Sequence, residues 1–262
     1  MKKSLGALFV LVAANCASQA AFTYDGFNYT VGGTLAGNTD WTLLNAGAAP
    51  VIASGDLTIN GLPSTGNKVS FASGNIQEAL GTLNTFNSGT VYFSLAFRLT
   101  AVPTTTSYSF ALSTGNTNYG APVFIQVDGT DGFELGVANR SNSTPVFDTT
   151  KLFLNTTYFI VGSYTFVSGA TNDTSALWIN PDPSSFGALT APTSTLTAAG
   201  GNDLAAITQF LLRGQSGSPS GEMDELRVGT SWDAVTTIPE PSTFLGLIGG
   251  TALLGMIRRR SR

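Results

Sequence analysis

Apolar and polar residues alternate with a period of two along most of this chain, and that period belongs to strands rather than helices. In Thr90–Thr100, Val91, Phe93, Leu95, Phe97 and Leu99 fall on one face, with Tyr92, Ser94, Ala96 and Arg98 on the other. In Thr157–Phe166, Tyr158, Ile160, Tyr164 and Phe166 alternate with Phe159, Val161, Ser163 and Thr165. The segments PVFIQVD and GFELGVAN repeat the pattern around Gly129-Thr130-Asp131-Gly132, a hairpin-type turn. SALWIN, ITQFLLR and EMDELRV read as later strands. Ile76–Leu83 is compatible with one or two helical turns, weakened by Gly81. Many strands punctuated by Gly, Asn, Asp and Pro predict an all-β, two-sheet sandwich. No long linker interrupts the stretch from Phe22 to Val235, so one domain over 21–235 is expected.

The two ends follow other patterns. Lys2 and Lys3 precede an apolar run, Leu5–Ala14, and Ser18-Gln19-Ala20 places small residues where a signal peptidase reads. A signal peptide over 1–20, cut after Ala20, is the expectation, and Cys16 would leave with it. The mature chain then lacks cysteine, hence disulfides and thiol chemistry. At the other end, no charged residue occurs from Thr243 to Ile257, and Arg258, Arg259, Arg260 and Arg262 follow. That run is short of the about 20 apolar residues of a confident spanning helix. The positive-inside rule keeps the arginines cytoplasmic and the preceding domain outside. A C-terminal hydrophobic helix that enters the inner membrane in transit fits this pattern better than a permanent anchor, which is the alternative.

Pro239-Glu240-Pro241, the glycine-rich apolar run and the arginine cluster, in that order at the extreme C-terminus, resemble a PEP-CTERM sorting signal over 238–262. The resemblance implies recognition and cleavage by an exosortase near Pro239, Glu240 and Pro241, with Arg258, Arg259 and Arg260 setting topology. It also implies delivery to the cell surface or extracellular matrix. Phrases within the body, at Tyr24–Gly37, Ser175–Pro181 and Met223–Val235, resemble exported proteins with a concanavalin A-like or laminin-G-like jelly roll. That likeness implies that the first segment pairs near the DELRVG strand and closes the sandwich.

Candidate chemistry is sparse. The chain has no histidine, which removes Ser-His-Asp and Cys-His systems and His-based zinc sites. Without Lys2, Lys3 and the four tail arginines six basic residues remain, and without Glu240 fifteen acidic ones. The resulting charge, about −9, repels nucleic acid. Glu222-Met223-Asp224-Glu225-Leu226-Arg227 resembles the Glu-x-Asp-x-x-Glu strand of some concanavalin A-like glycoside hydrolases, but Arg227 holds the acid/base position. Arginine cannot cycle a proton, so a protein without enzymatic activity is expected, with Arg227 paired to Glu225 or another acid of the strand. In a regular strand Glu225 would face away from Asp224. Calcium is the one cofactor considered, on Asp128 and Asp131 of the hairpin or on Asp25 and Asp224 if the end segments meet. Trp41, Trp178 and Trp232 are expected to pack in the core or on a sheet face. Tyr92, Tyr119 and above all Trp178 are the candidate surfaces for stacking on extracellular polysaccharide, the alternative function.

Overall fold

A computed structural model describes residues 23–38, 40–73, 79–115 and 117–237. The first strands are β1 (Thr23–Asp25), β2 (Trp41–Leu43), β3 (Val51–Ala53), β4 (Lys68–Phe71) and β5 (Ala79–Phe86). The central ones are β6 (Gly89–Ala101), β7 (Ser107–Thr114), β8 (Asn118–Asp128), β9 (Gly132–Val137), β10 (Val146–Phe147) and β11 (Leu152–Phe153). Then come β12 (Tyr158–Phe166), β13 (Thr174–Ile179), β14 (Leu196–Ala199), β15 (Ile207–Leu212) and β16 (Ser220–Gly229). A short helix, α1 (Trp232–Thr236), follows the last strand.

The strands form two antiparallel sheets. Sheet A runs β14-β13-β12-β6-β16-β4-β3, with β1 added beside β16. Sheet B runs β10-β9-β8-β7-β15-β5-β2, with β11 beside β9. This is the two-sheet sandwich that the period of two predicted, with the jelly roll that the resemblance implied. The alternation in β6 decides which side chains enter it: Val91, Phe93, Leu95, Phe97 and Leu99 are fully buried between the sheets. Phe93 meets Phe210 of sheet B at 5.5 Å between ring centroids, and Phe97 meets Phe110 at 5.8 Å. Gly162 of β12 makes room for this layer, since a Cβ there would lie 2.2 Å from the Phe93 ring.

The segment around Gly81 is strand, not helix: Trp41 lies opposite Gly81 in the β2·β5 pair. A Cβ at position 81 would sit 3.2 Å from the Trp41 indole. The glycine that weakens a helix is here the floor on which a tryptophan lies. The end segments pair as expected, with Thr23 opposite Val228 and Asp25 opposite Leu226.

The two sheets differ in what covers their outer faces. Over sheet A lies a second apolar layer joining Ala96, Phe159, Val161 and Trp178 to Leu57, Ile59 and Leu62 of the β3–β4 loop and to Trp232 and Val235 of α1. Sheet B carries a smaller outer cluster, including Leu80, Tyr108, Tyr119, Phe124 and Leu211.

Candidate functional site

The covered face of sheet A carries four of the residues singled out from the sequence: Asp224, Glu225, Trp178 and Trp232. β16 changes neighbours halfway along it: Gly221–Met223 pair with β4, and Leu226–Val228 pair with β1. Between those stretches the register against β6 shifts, and Glu225 adopts φ 55°. Such a bulge re-aims side chains. The regular-strand expectation for Glu225 is therefore corrected: Asp224 and Glu225 both turn toward the β3–β4 loop.

Each acid of the strand has a structural partner. Glu222 accepts from Arg98 Nε at 2.8 Å and lies 3.7 Å from Lys68 Nζ. Asp224, fully buried, accepts from the backbone N–H of Leu57 at 2.7 Å and of Glu225 at 2.8 Å. Desolvation pushes its carboxyl up to about 7, although those two backbone N–H groups work in the opposite direction. Glu225 accepts from the Thr65 N–H at 2.8 Å and pairs with Arg227 at 2.6 Å, both side chains fully buried. The Arg227–Glu225 pair expected from the sequence is thus present. Together Asp224 and Glu225 fasten both ends of the 57–65 loop onto the sheet. Neither is left open to a glycosidic bond.

The three tryptophans are packing residues. Trp41 donates from Nε1 to Asp25 at 2.8 Å, and Trp232 from Nε1 to the Ser185 carbonyl at 2.8 Å. Trp178 donates from Nε1 to the Pro192 carbonyl at 2.8 Å and packs 5.2 Å from Trp232 and 6.0 Å from Tyr92. With 6% of its surface exposed it presents no face for a sugar, which corrects its candidacy. Tyr119 is 7% exposed and Tyr92 half-buried. The loops that cover sheet A come from remote parts of the chain, which is why strand alternation left Trp178 and Tyr92 looking free.

The calcium candidates separate. Asp131 pairs with Lys151 at 2.9 Å on the exposed hairpin. Asp25 shares the core side of the pair with Leu226, accepting from Phe27 N, Tyr29 Oη and Trp41 Nε1, each at 2.8 Å. Asp224 faces the covering loop instead. Among the described residues no three or more His, Cys, Asp or Glu side chains come together as metal ligands.

What the sequence did not single out is a cavity of about 260 Å³ beside the 57–65 loop. Thr58, Ile59 and Asn60 of the β3–β4 loop form one wall, and Asn180, Pro181, Pro183 and Phe186 of the β13–β14 loop form the other. Phe159 of β12 lies beneath, edge-on to Phe186 at 5.4 Å. The loops approach this closely because residue 61 is glycine at φ 85°: a Cβ there would lie 2.9 Å from Pro183 Cβ. Asn-Gly at 60–61 and Asn-Pro-Asp-Pro at 180–183 are the turn signals that mark both walls. Only the fold shows that they meet.

Ala20, Pro239, Glu240, Pro241, Arg258, Arg259 and Arg260 lie outside the described residues, as do the expected signal peptide and the expected C-terminal helix. Among the described residues no helix is long and apolar enough to cross a membrane. Residues 237–261 match the PEP-CTERM protein-sorting motif, so the chain carries the signal of an exported protein. No curated protein matches the chain. Among solved structures it resembles a heptameric SAP-like pentraxin from Limulus polyphemus at 16% identity and TM-score 0.43, over 64% of this chain and 79% of that one. It also resembles the CBM2 module of an evolved Dit protein from a Lactobacillus casei phage, at 13% identity and TM-score 0.41, over 81% and 97%. A glycosyl hydrolase family 16 protein from Mycobacterium smegmatis matches at 10% identity and TM-score 0.43, over 79% and 98%. These are likenesses of fold. They carry no activity to this chain, and with glycosyl hydrolases among them the expectation of a chain without enzymatic activity does not stand.

Proposed function

We propose that this chain is a component of the cell surface or extracellular matrix, delivered there by its C-terminal sorting signal. Signal peptidase removes 1–20 after Ala20. The sandwich domain, 21–235, crosses to the outside while the apolar run holds the tail in the inner membrane. Arg258, Arg259 and Arg260 keep the end of the tail cytoplasmic, and an exosortase cuts near Pro239, Glu240 and Pro241. The proline on either side of Glu240 disfavours helix and keeps this stretch extended for the protease.

One observation carries the reading. Core packing continues up to the start of the sorting motif: Trp232, Val235 and Thr236 of α1 are buried, and the motif starts at 237. A cut near Pro239–Pro241 therefore removes the address without removing a core residue. Intact mass and terminal peptide mapping of the protein from separate fractions of its native host test this. A chain beginning at Ala21 and ending between Thr237 and Pro241, outside the inner membrane, is the expected result. A chain keeping Arg262 in the membrane fraction would overturn it.

A further inference from the structure

Leu189 is 90% exposed, whereas the other exposed large apolar side chains of the described residues lie between 37% and 52%. It stands in the β13–β14 connection, within a run from Pro183 to Asn202 that holds no charged residue. A lone exposed leucine means little by itself. Its place in the fold gives it meaning.

The loop tip that carries Leu189 is fixed on both sides. Before it, the Ser185 carbonyl accepts from Trp232 Nε1 at 2.8 Å, and the Gly187 N–H donates to Thr236 Oγ1 at 3.1 Å. After it, the Pro192 carbonyl accepts from Trp178 Nε1 at 2.8 Å. Ala188 and Ala191 pack against the layer over sheet A, while Leu189 and Thr190 stay in water. The same tip marks where the chain leaves the sandwich. Gly187 sits at φ 72°, and a Cβ there would lie 2.8 Å from Thr237 Cγ2, on the last described residue before the tail. Leu189 is two residues from Gly187, so their Cα atoms are no more than about 7 Å apart. The uncharged apolar run begins at Thr243, six residues after Thr237, so its start lies within about 22 Å of Thr237 whatever path the chain takes.

We infer that the Leu189 tip rests on the bilayer that holds the uncut tail, with the leucine in the headgroup region. A membrane that takes up the run from Thr243 lies within that short reach of α1, so this end of the sandwich faces it. Seating the tip there removes a leucine from water and desolvates no charge. Attraction to anionic lipid plays no part, because the charges nearest in the fold, Asp182 before the tip and Asp233 of α1, are both acidic. One leucine is far too little to hold a domain on a membrane, since even a whole myristoyl chain binds only marginally. The attached tail supplies the missing term by keeping the tip at high effective concentration beside the surface. The contact therefore orients the body next to Pro239-Glu240-Pro241 before the cut and dissolves after it. The inference rests on the reading that the tail enters the inner membrane before cleavage.

The full chain is made in a host without an exosortase, so that the tail stays on, and is placed in phosphatidylcholine vesicles. Cys16→Ser removes its single cysteine. A fluorophore is then attached at Thr190→Cys or, as the control, at Leu43→Cys on sheet B, both exposed positions. Spin-labelled lipid quenches a probe that reaches the bilayer. Quenching at 190 roughly threefold stronger than at 43 is expected, unchanged when salt is raised from about 0.1 M to 1 M. Adding Leu189→Asp should lower it to the control level. Equal quenching at the two positions, or quenching that ignores Leu189→Asp, would overturn the inference. So would protection of position 190 that appears only when an exosortase is added to the vesicles, because the tip then meets protein rather than lipid. Flotation of the chain with the vesicles reads tail insertion separately. A chain that floats without quenching at 190 overturns this inference alone, and one that does not float overturns the reading beneath it as well.

Discussion

Arg227 Nη2 lies 2.6 Å from Glu225 Oε2, and neither side chain reaches solvent. The guanidinium also donates to the Glu225 carbonyl at 3.0 Å and lies over the Tyr24 ring at 4.9 Å. This pair occupies the place where the sequence resembles a hydrolase acid/base strand, and it joins β16, β1 and the β3–β4 loop. Removing one partner leaves a buried charge uncompensated, which typically costs about 3–5 kcal/mol. Arg227→Met and Glu225→Gln are each expected to lower stability by that order in urea denaturation. The double variant should recover most of the loss, because neither member of the pair is then left as an unpaired buried charge.

Asp224 gives stability a pH dependence of definite sign. Its folded carboxyl titrates near 7 rather than 3.8, chiefly through desolvation. A group raised on folding contributes stability that is full below about 4 and lost as pH rises through about 7. The size is on the order of a few kcal/mol, because a tenfold change in proton affinity on folding corresponds to about 1.4 kcal/mol. Asp224→Asn removes that loss. The difference in unfolding free energy between variant and wild type should therefore move in the variant's favour from pH 4 to pH 8. A difference that stays constant over that window would refute the assignment.

Gly162 and Phe93 form a complementary pair in the core. An alanine at 162 drives a Cβ into the ring, and overpacking of this kind costs about 1–3 kcal/mol. Gly162→Ala should lower Tm, and Phe93→Leu added to it should restore part of the loss by vacating the space.

The boundary between sandwich and sorting signal is testable by truncation. A chain ended after Thr237 should unfold with the same midpoint as the full body. Ending it after Ser231 removes Trp232 and Val235 from the layer over sheet A, and losing a buried tryptophan costs about 3–5 kcal/mol. Paired denaturation curves of the two truncations check both halves of the statement.

Much of the frame is visible in the residue order. Alternation in β6 named five core residues correctly, and the turn at 129–132 marked the β8–β9 hairpin, where Asp128 pairs with Gly132. The other face of the same strand was not readable in this way. Ser94 and Ala96 alternate as an outer face, yet both are fully buried, because the chain returns over sheet A twice and closes it with α1. Ser94 Oγ donates to the Val235 carbonyl, a contact between residues 141 apart in sequence.

By itself the sequence determined the β architecture, the sorting motif of an exported protein and the absence of histidine chemistry. Period-two alternation, the charge and apolar pattern of the tail, and the absence of histidine are local or compositional properties, so they survive without a fold. Only the tertiary structure decided which faces meet water. A bulge at Glu225 turned two adjacent carboxylates toward one loop, and that loop and its neighbour covered Trp178 while leaving a neutral cavity between Asn60 and Asn180. Strand periodicity fixes which side chains share a face. What lies over that face depends on contacts between segments far apart in the chain, and no local pattern encodes them.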